Sequence, residues 1–490
     1  MLLAASAGWS QRAPVGHWVN HVSGEPAWNE NDPGAFYVAS AHELAWGEAP
    51  LFVGHPGAPL AVLLRGVQEG LFLALAEPAE GFTRFTARHL ARVHVTSKVL
   101  MTVLHLLSFL ALHRLALRLT GDRRAAALAT LGYATSFPVL YDLSRVSVEP
   151  LMVLFFAGSF LALWRAADAA REGRVGAAAA HAAVAGVAAV SGAMSKLSFL
   201  GPLPFFLVLY WLVLRGMEGR VRAIGGASLV GASLVALALW SQIVDWSEFV
   251  SEWRIYAGMP AAGSLTLADF LPGTGPRRIL LLAELGFGAF AVGSFVVFVR
   301  RGGLGEPMLG FLAYTLYAFA FFGYRVVLEG DFLPFHYFFL PLAALCVFFG
   351  WGSVAAARRL GLPVAGAPGL AVALVWIALL HGFGAFAVAA SREHDARQFA
   401  ARRPAFEQLA ALAPGGRIGV LYEGPHRGLH EELLTLHAIE LPTPWGVRQS
   451  VLRRAVTGLF VVVPPRRAPR DAPRVFVPAL GAAVVRLDGG

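Results

Sequence analysis

Long apolar runs separated by short polar loops fill the middle of this chain. Runs of spanning length fall at roughly 99–119, 125–143, 148–166, 176–194, 197–214, 222–243, 278–300, 307–326, 333–353 and 367–389. A bilayer needs about 20 such residues per helix, so the pattern predicts about ten transmembrane helices. The pattern changes at both ends. Asn29–Leu60, "NENDPGAFYVASAHELAWGEAPLFVGHPGAPL", mixes acids, aromatics and Gly-Pro turns. The stretch 58–77 is apolar but carries Arg65, Gln68 and Glu69 in mid-run. It reads as a helix lying along the membrane interface, with a poor spanning helix as the alternative. Beyond about residue 390, "RIGVLYEG", "GLFVVVPP" and "RVFVPALGAAVVRL" are short β-branched runs bounded by Gly and Pro, which predict strands. "HRGLHEELLTLHAI" between them predicts a helix, and "SREHDARQ" a solvated helix leading into the tail.

Three segments follow: 1–98 as a first loop with interfacial helices, 99–390 as the helical membrane domain, and 391–490 as a small α/β domain. The expected fold class is mainly α, a polytopic helical membrane protein with that C-terminal α/β addition. No internal repeat is visible. "GAAAAHAAVAGVAAVSGA" has the small residues that let membrane helices pack closely, although the Ala-rich coding bias of the whole chain accounts for it equally well.

Composition agrees with the pattern. The chain has 490 residues, 57% hydrophobic and only 14% charged, too apolar for a soluble protein of this size. Its net charge of +9 would suggest nucleic acid in a soluble chain. Here the arginines concentrate in alternate short loops: Arg114, Arg118, Arg123 and Arg124; Arg165, Arg171 and Arg174; Arg215, Arg220 and Arg222; Arg300 and Arg301; Arg358 and Arg359. That alternation is the positive-inside pattern and places those loops in the cytoplasm, with no nucleic-acid partner implied. The intervening loops, such as "DWSEFVSEWRIYAG" and "VLEGDFLPF", then face outside together with both terminal segments. An outer N-terminal segment leads us to expect a further helix ahead of Met1. "MLLAASAGW" is too short to span and lacks a basic start. The single Cys346 lies in an apolar run and is silent about compartment.

Four stretches, in order, resemble the GT-C membrane glycosyltransferases, in the branch that includes protein O-mannosyltransferases and lipid A aminoarabinose transferases. The first is Asp32 with "FY" soon after and then "LAWGEAPLFVGHPGAPL", similar to that family's acidic first outer loop and its "HPPxxP"-like turn. The others are "LSRVSVEPLMVLFFAGSFLALWRAA", "GVAAVSGAMSKLSFLGPLPFFLVLYWL" and "FHYFFLPLAALCVFFGW", which resemble an Arg-plus-acid helix start, a "GLALLTK" element and a late "RYLLPLLPALALLA" helix. The resemblance covers roughly residues 28–353. Here the acidic pair is Glu30 and Asp32, split by Asn31, and His336 stands where many relatives carry Arg.

The resemblance implies transfer of a sugar from a polyprenyl-phosphate donor to a lipid, glycan or protein acceptor at the outer face of a bacterial inner membrane. An inverting displacement needs a base beside the acceptor, and Asp32, with Glu30, is the candidate. The leaving phosphate needs fixed cations, for which Lys196 and Arg145 are candidates, with Arg325 and His336. Glu149, Tyr37, His55 and Tyr337 complete the candidate substrate site. Some relatives use a divalent ion, for which Glu149 with Glu48 or His55 is a conceivable ligand set, and no spacing here marks a metal site.

Plainer readings stand beside each. Asp32 before Pro33-Gly34 suits a turn. Arg145 and Glu149, four apart, could pair on one helix face. Lys196 could snorkel from a helix end, His55 could serve only the turn, and Tyr37, His336 and Tyr337 could be interfacial anchors. At the level of function, the competitors are a non-catalytic binder of lipid-linked sugars and a transporter or flippase of a lipid-linked substrate. Charges at helix ends and the lack of repeated halves count against transport.

Overall fold

The structure, a computed structural model, describes residues 34–47, 57–143, 145–196, 199, 218–247, 249–250, 276–300, 314 and 339–361, and six strand segments between 418 and 486. The first segment gives α1 (Gly34–Ala45), α2 (Ala58–Leu75) and α3 (Phe82–Arg88). Then come α4 (Leu90–Thr120), α5 (Arg123–Ala134), α6 (Phe137–Asp142), α7 (Glu149–Arg171), α8 (Val175–Ser195), α9 (Gly219–Ser241), α10 (Pro276–Arg300) and α11 (Phe339–Arg359). Six of the described helices are long and apolar enough to cross a membrane: α2, α4, α7, α8, α9 and α11. The chain is a multi-pass membrane protein. The expected runs at 197–214, 307–326 and 367–389 lie almost wholly outside the described residues.

Two boundaries differ from the sequence expectation, each for a physical reason. Helix α4 starts at Leu90, not near 99, because His94, Ser97 and Lys98 lower the local hydropathy without breaking the helix. All three are turned inward and fully buried. The run 125–143 is two helices. At the break the Thr135 and Ser136 hydroxyls donate to the carbonyls of Leu131 and Tyr133, competing with the backbone ladder.

The bundle mixes antiparallel neighbours with a parallel pair, since the C-terminal ends of α4 and α7 meet through Arg118 and Asp168. α7 packs along α8, α8 along α9, and α4 against α5 and α7, while α11 lies on α5 and α10. Its centre is aromatic, with Phe156, Phe160, Tyr133, Tyr314 and Phe339 fully buried. Close approach is set by small residues. A Cβ on Gly186 of α8 would stand 2.6 Å from the Leu229 carbonyl of α9, and one on Gly350 of α11 would collide with the backbone of α5 at Ala125. The small-residue stretch of α8 is therefore a packing surface. Outside, α4 exposes Val99, Val103, Leu106, Leu107 and Leu110, and α9 exposes Val230, Leu234, Val235 and Leu239. Apolar side chains outside and polar ones inside is the arrangement a lipid solvent selects.

Chain reversal sorts the helix ends into two sets. One end carries the exposed arginines, stitched by ion pairs. Arg118 of α4 and Arg171 of α7 both meet Asp168, and Arg358 of α11 meets Asp122 in the α4–α5 turn. Asp122 also caps α5, accepting hydrogen bonds from the N–H groups of Arg124 and Ala125. Partial burial pushes its carboxyl pKa up, but those two bonds and the Arg358 guanidinium outweigh it and hold it below the ordinary value. The other end, where α7 begins and α8 and α9 finish, holds the buried charges.

In the tail, strands β1 (Ile418–Leu421), β4 (Phe460–Val463), β5 (Arg474–Val477) and β6 (Ala482–Arg486) form a sheet in the order β4-β1-β6-β5. β1 and β4 are parallel, and the other pairs are antiparallel. A hairpin of β2 (Glu440–Thr443) and β3 (Gly446–Gln449) was not legible from the sequence pattern. The helix expected at 426–439 lies outside the described residues.

Candidate functional site

Glu149 is the first residue of α7, followed by Pro150, which suits a first helical turn with its N–H groups unpaired. The acid sits at the positive end of the helix dipole. Forty-seven residues on, Lys196 ends α8 in extended backbone. Its Nζ donates to Glu149 Oε1 at 2.6 Å, and both side chains are buried, at 3% and 2% exposure. An isolated charge there would be strongly disfavoured, so each makes the other tolerable. Just beyond, Phe199 folds back over Gly192, where a Cβ would run into its ring. Glycine at 192 is what leaves room for the Phe199 ring.

The first loop reaches the same place. Gly57, in left-handed backbone at the start of α2, donates its N–H to the Ser195 carbonyl at 3.1 Å. Gly57 thus docks one residue before Lys196, although the two are far apart in sequence. Ala58, Met194 and Val244 pack together there, with Trp240, Trp246 and Phe249 around them. The Trp240 indole donates to Ser191 Oγ at 3.1 Å.

The mid-run polar residues of α2 also find partners. Gln68 donates to the Val38 carbonyl at 2.8 Å, and Arg65 donates to the Leu44 carbonyl at 3.0 Å while pairing with Glu69. They hold α1 against α2. Tyr37, Ser40, His42 and Glu43 of α1 are all buried. His42 stacks on Phe82 and lies 3.2 Å from Thr83 Oγ1. Burial drives its pKa down to about 4, against a smaller upward effect of its hydrogen bond with Gln68.

A second buried cluster was missed in the sequence. Asp142, the last residue of α6, accepts a hydrogen bond from Ser147 Oγ at 2.6 Å. The same oxygen lies 3.2 Å from His105 Nε2 of α4. His94, Lys98, Met101, His105 and Ser108 follow helical spacing along one buried face of α4. That periodicity was a usable signal, hidden because two of its polar members, His94 and Lys98, fall just before the apolar run counted from residue 99.

Of the candidate residues, the structure joins Lys196 to Glu149 and places Arg145 in the turn leading into α7. Arg145 is thus not on a helix face with Glu149, because the helix begins only at Glu149. Tyr37 is buried in α1. Glu30, Asp32, Glu48, His55, Arg325, His336 and Tyr337 lie outside the described residues. Among the described residues, no three or more His, Cys, Asp or Glu side chains come together as a metal site, and Glu149 is engaged by a lysine.

No protein-family model and no curated protein matches the chain by sequence. Similar solved structures exist. ArnT (aminoarabinose transferase) from Cupriavidus metallidurans bound to undecaprenyl phosphate is 15% identical with a TM-score of 0.49, over 84% of this chain and 71% of that one. The apo form of the same protein is 16% identical with a TM-score of 0.46, over 81% and 72%. The Archaeoglobus fulgidus oligosaccharyltransferase in complex with Zn and sulfate is 15% identical with a TM-score of 0.47, over 95% of this chain and 62% of that one. Both of those enzymes are GT-C glycosyltransferases.

Proposed function

We propose that this protein is a membrane glycosyltransferase of the GT-C type. It moves a hexosyl or pentosyl group from a polyprenyl-phosphate donor to an acceptor hydroxyl on a lipid, glycan or protein, with inversion. The observation that carries this reading is the meeting of separate motifs: the Gly57 turn, Glu149 and Lys196 converge at one end of the bundle. That end is opposite the ion-paired arginines of α4, α7 and α11, which by the positive-inside rule supports an extracytoplasmic position for it, in our reading at a bacterial inner membrane. A lipid-tailed donor presents its phosphate at that depth.

The residues divide the work by charge. Asp32, with Glu30 beside it, takes the proton of the attacking hydroxyl. As the glycosyl–phosphate bond breaks, the phosphate oxygens gain negative charge. Lys196 and Arg145 stabilise that charge, with Arg325 and His336 in the same role. Glu149 keeps Lys196 charged and fixed in place, so little reorganisation is needed when the phosphate leaves. Tyr37, His55 and Tyr337 shape the substrate side. The segment after residue 390, with its four-stranded sheet, is a small extracytoplasmic domain that bears on acceptor choice.

The deciding experiment uses purified protein in nanodiscs with a panel of polyprenyl-phosphate sugars and a membrane-lipid extract. Free polyprenyl phosphate is measured by mass spectrometry. Release by wild type and not by Asp32→Asn is expected. Absence of release from every donor by folded protein would overturn the proposal in favour of lipid-linked-sugar binding or transport.

A further inference from the structure

We propose that Asp142 is a positioning residue that locks the turn presenting Arg145 and Glu149. The turn runs from the end of α6 at Asp142 to the start of α7 at Glu149. Asp142 grips it at two points. Its backbone carbonyl accepts the N–H of Arg145 at 2.8 Å, and its Oδ2 accepts the hydroxyl of Ser147 at 2.6 Å. The same Oδ2 lies 3.2 Å from His105 Nε2, which sets Asp142 against α4. Asp142, Ser147 and His105 are all buried, so these contacts form away from bulk water and are worth more than at a surface.

The location gives the clamp its purpose. Ser147 is two residues before Glu149, so its tether fixes where α7 starts and where the carboxylate meets Lys196. Arg145 lies inside the clamped loop, held at its N–H. A turn without such bonds would sample many backbone states, and ordering it on each substrate encounter would cost entropy. Neither Asp142 nor His105 needs to touch the donor. They act through the residues they hold.

The kinetic part of the test rests on the glycosyltransferase reading, and the spectroscopic part does not. Arg145→Cys in a Cys346→Ser background gives one site for a nitroxide label, because Cys346 is the only native cysteine. The label should be immobile with Asp142 in place, and its spectrum should sharpen on adding Asp142→Asn or Ser147→Ala. Ser147→Thr, which keeps the hydroxyl, should restore the immobile spectrum. In the unlabelled protein, Ser147→Ala should raise the donor KM by about tenfold to a hundredfold with a smaller change in kcat. Unchanged label mobility in folded Asp142→Asn and Ser147→Ala overturns the proposal, as does an unchanged donor KM in a protein that transfers. Should Asp142→Asn fail to fold, the Ser147 pair carries the test alone. Should wild type transfer nothing, the glycosyltransferase reading falls while the label still decides the clamp.

Discussion

At the residue scale, the buried Lys196–Glu149 pair makes two separable contributions. Removing one partner strands the other charge, so Lys196→Met or Glu149→Gln alone should cost about 3–5 kcal/mol. Replacing both should cost clearly less than the sum, which denaturant melts of the four proteins would show. The double variant should still fail to release polyprenyl phosphate, separating chemistry from stability. His42 offers a pH test. Its folded pKa of about 4 lies below the ordinary 6.5, so the native state resists its protonation. Its stabilising share is present above pH 6.5 and is lost as pH falls towards 4, on the order of 3 kcal/mol in all. His42→Gln should flatten the pH dependence of the melting temperature over that window. Each charge of the main pair was legible in the sequence, since Lys196 breaks an apolar run and Glu149 opens one. Their partnership was not. The sequence offered Arg145 to Glu149 at helical spacing, and only the helix start and the fold bring Lys196 across from the far side. Asp142 was invisible for the same reason, because a lone acid at the edge of an apolar run says nothing of what the fold packs beside it.

At the element scale, apolar run length located most of the described helices, and polar residues inside the runs caused the errors. α4 was cut short by the residues that make its inner face, and in α2, read as an interfacial helix, the mid-run Arg65 and Gln68 bind carbonyls of α1. Run length measures average hydropathy, whereas the bundle responds to which face each residue occupies. Two predictions belong here. Asp122→Ala removes the cap of α5 and should cost about 1 kcal/mol, detected in thermal melts. Gly350→Leu intrudes on the backbone of α5 and should destabilise by about 1–3 kcal/mol. Gly231→Leu on α9, whose Cβ meets nothing within 4 Å, should change stability by less than about 0.5 kcal/mol.

At the scale of the whole molecule, the two ends of the bundle differ in how they hold charge. One links α4, α5, α7 and α11 through exposed arginine ion pairs, and the other seals the Lys196–Glu149 pair inside, with the half-exposed Arg65–Glu69 pair of α2 on the same side. Single cysteines in a Cys346→Ser background test the assigned orientation. In intact cells, a membrane-impermeant maleimide should label a cysteine at Gly47 and leave one at Glu172 unlabelled; the reverse would invert the topology. The hydrogen bond from Gly57 to Ser195 also has a meaning for biogenesis. The ribosome delivers the Gly57 turn roughly 140 residues before its docking point, on the order of ten seconds at ordinary elongation rates. Glu149 likewise emerges forty-seven residues ahead of its lysine. During that interval Gly57 has no docking point and Glu149 lacks its lysine. The Glu149–Lys196 contact therefore closes only after α8 has been made, and the docking of Gly57 is later still than the synthesis of α7.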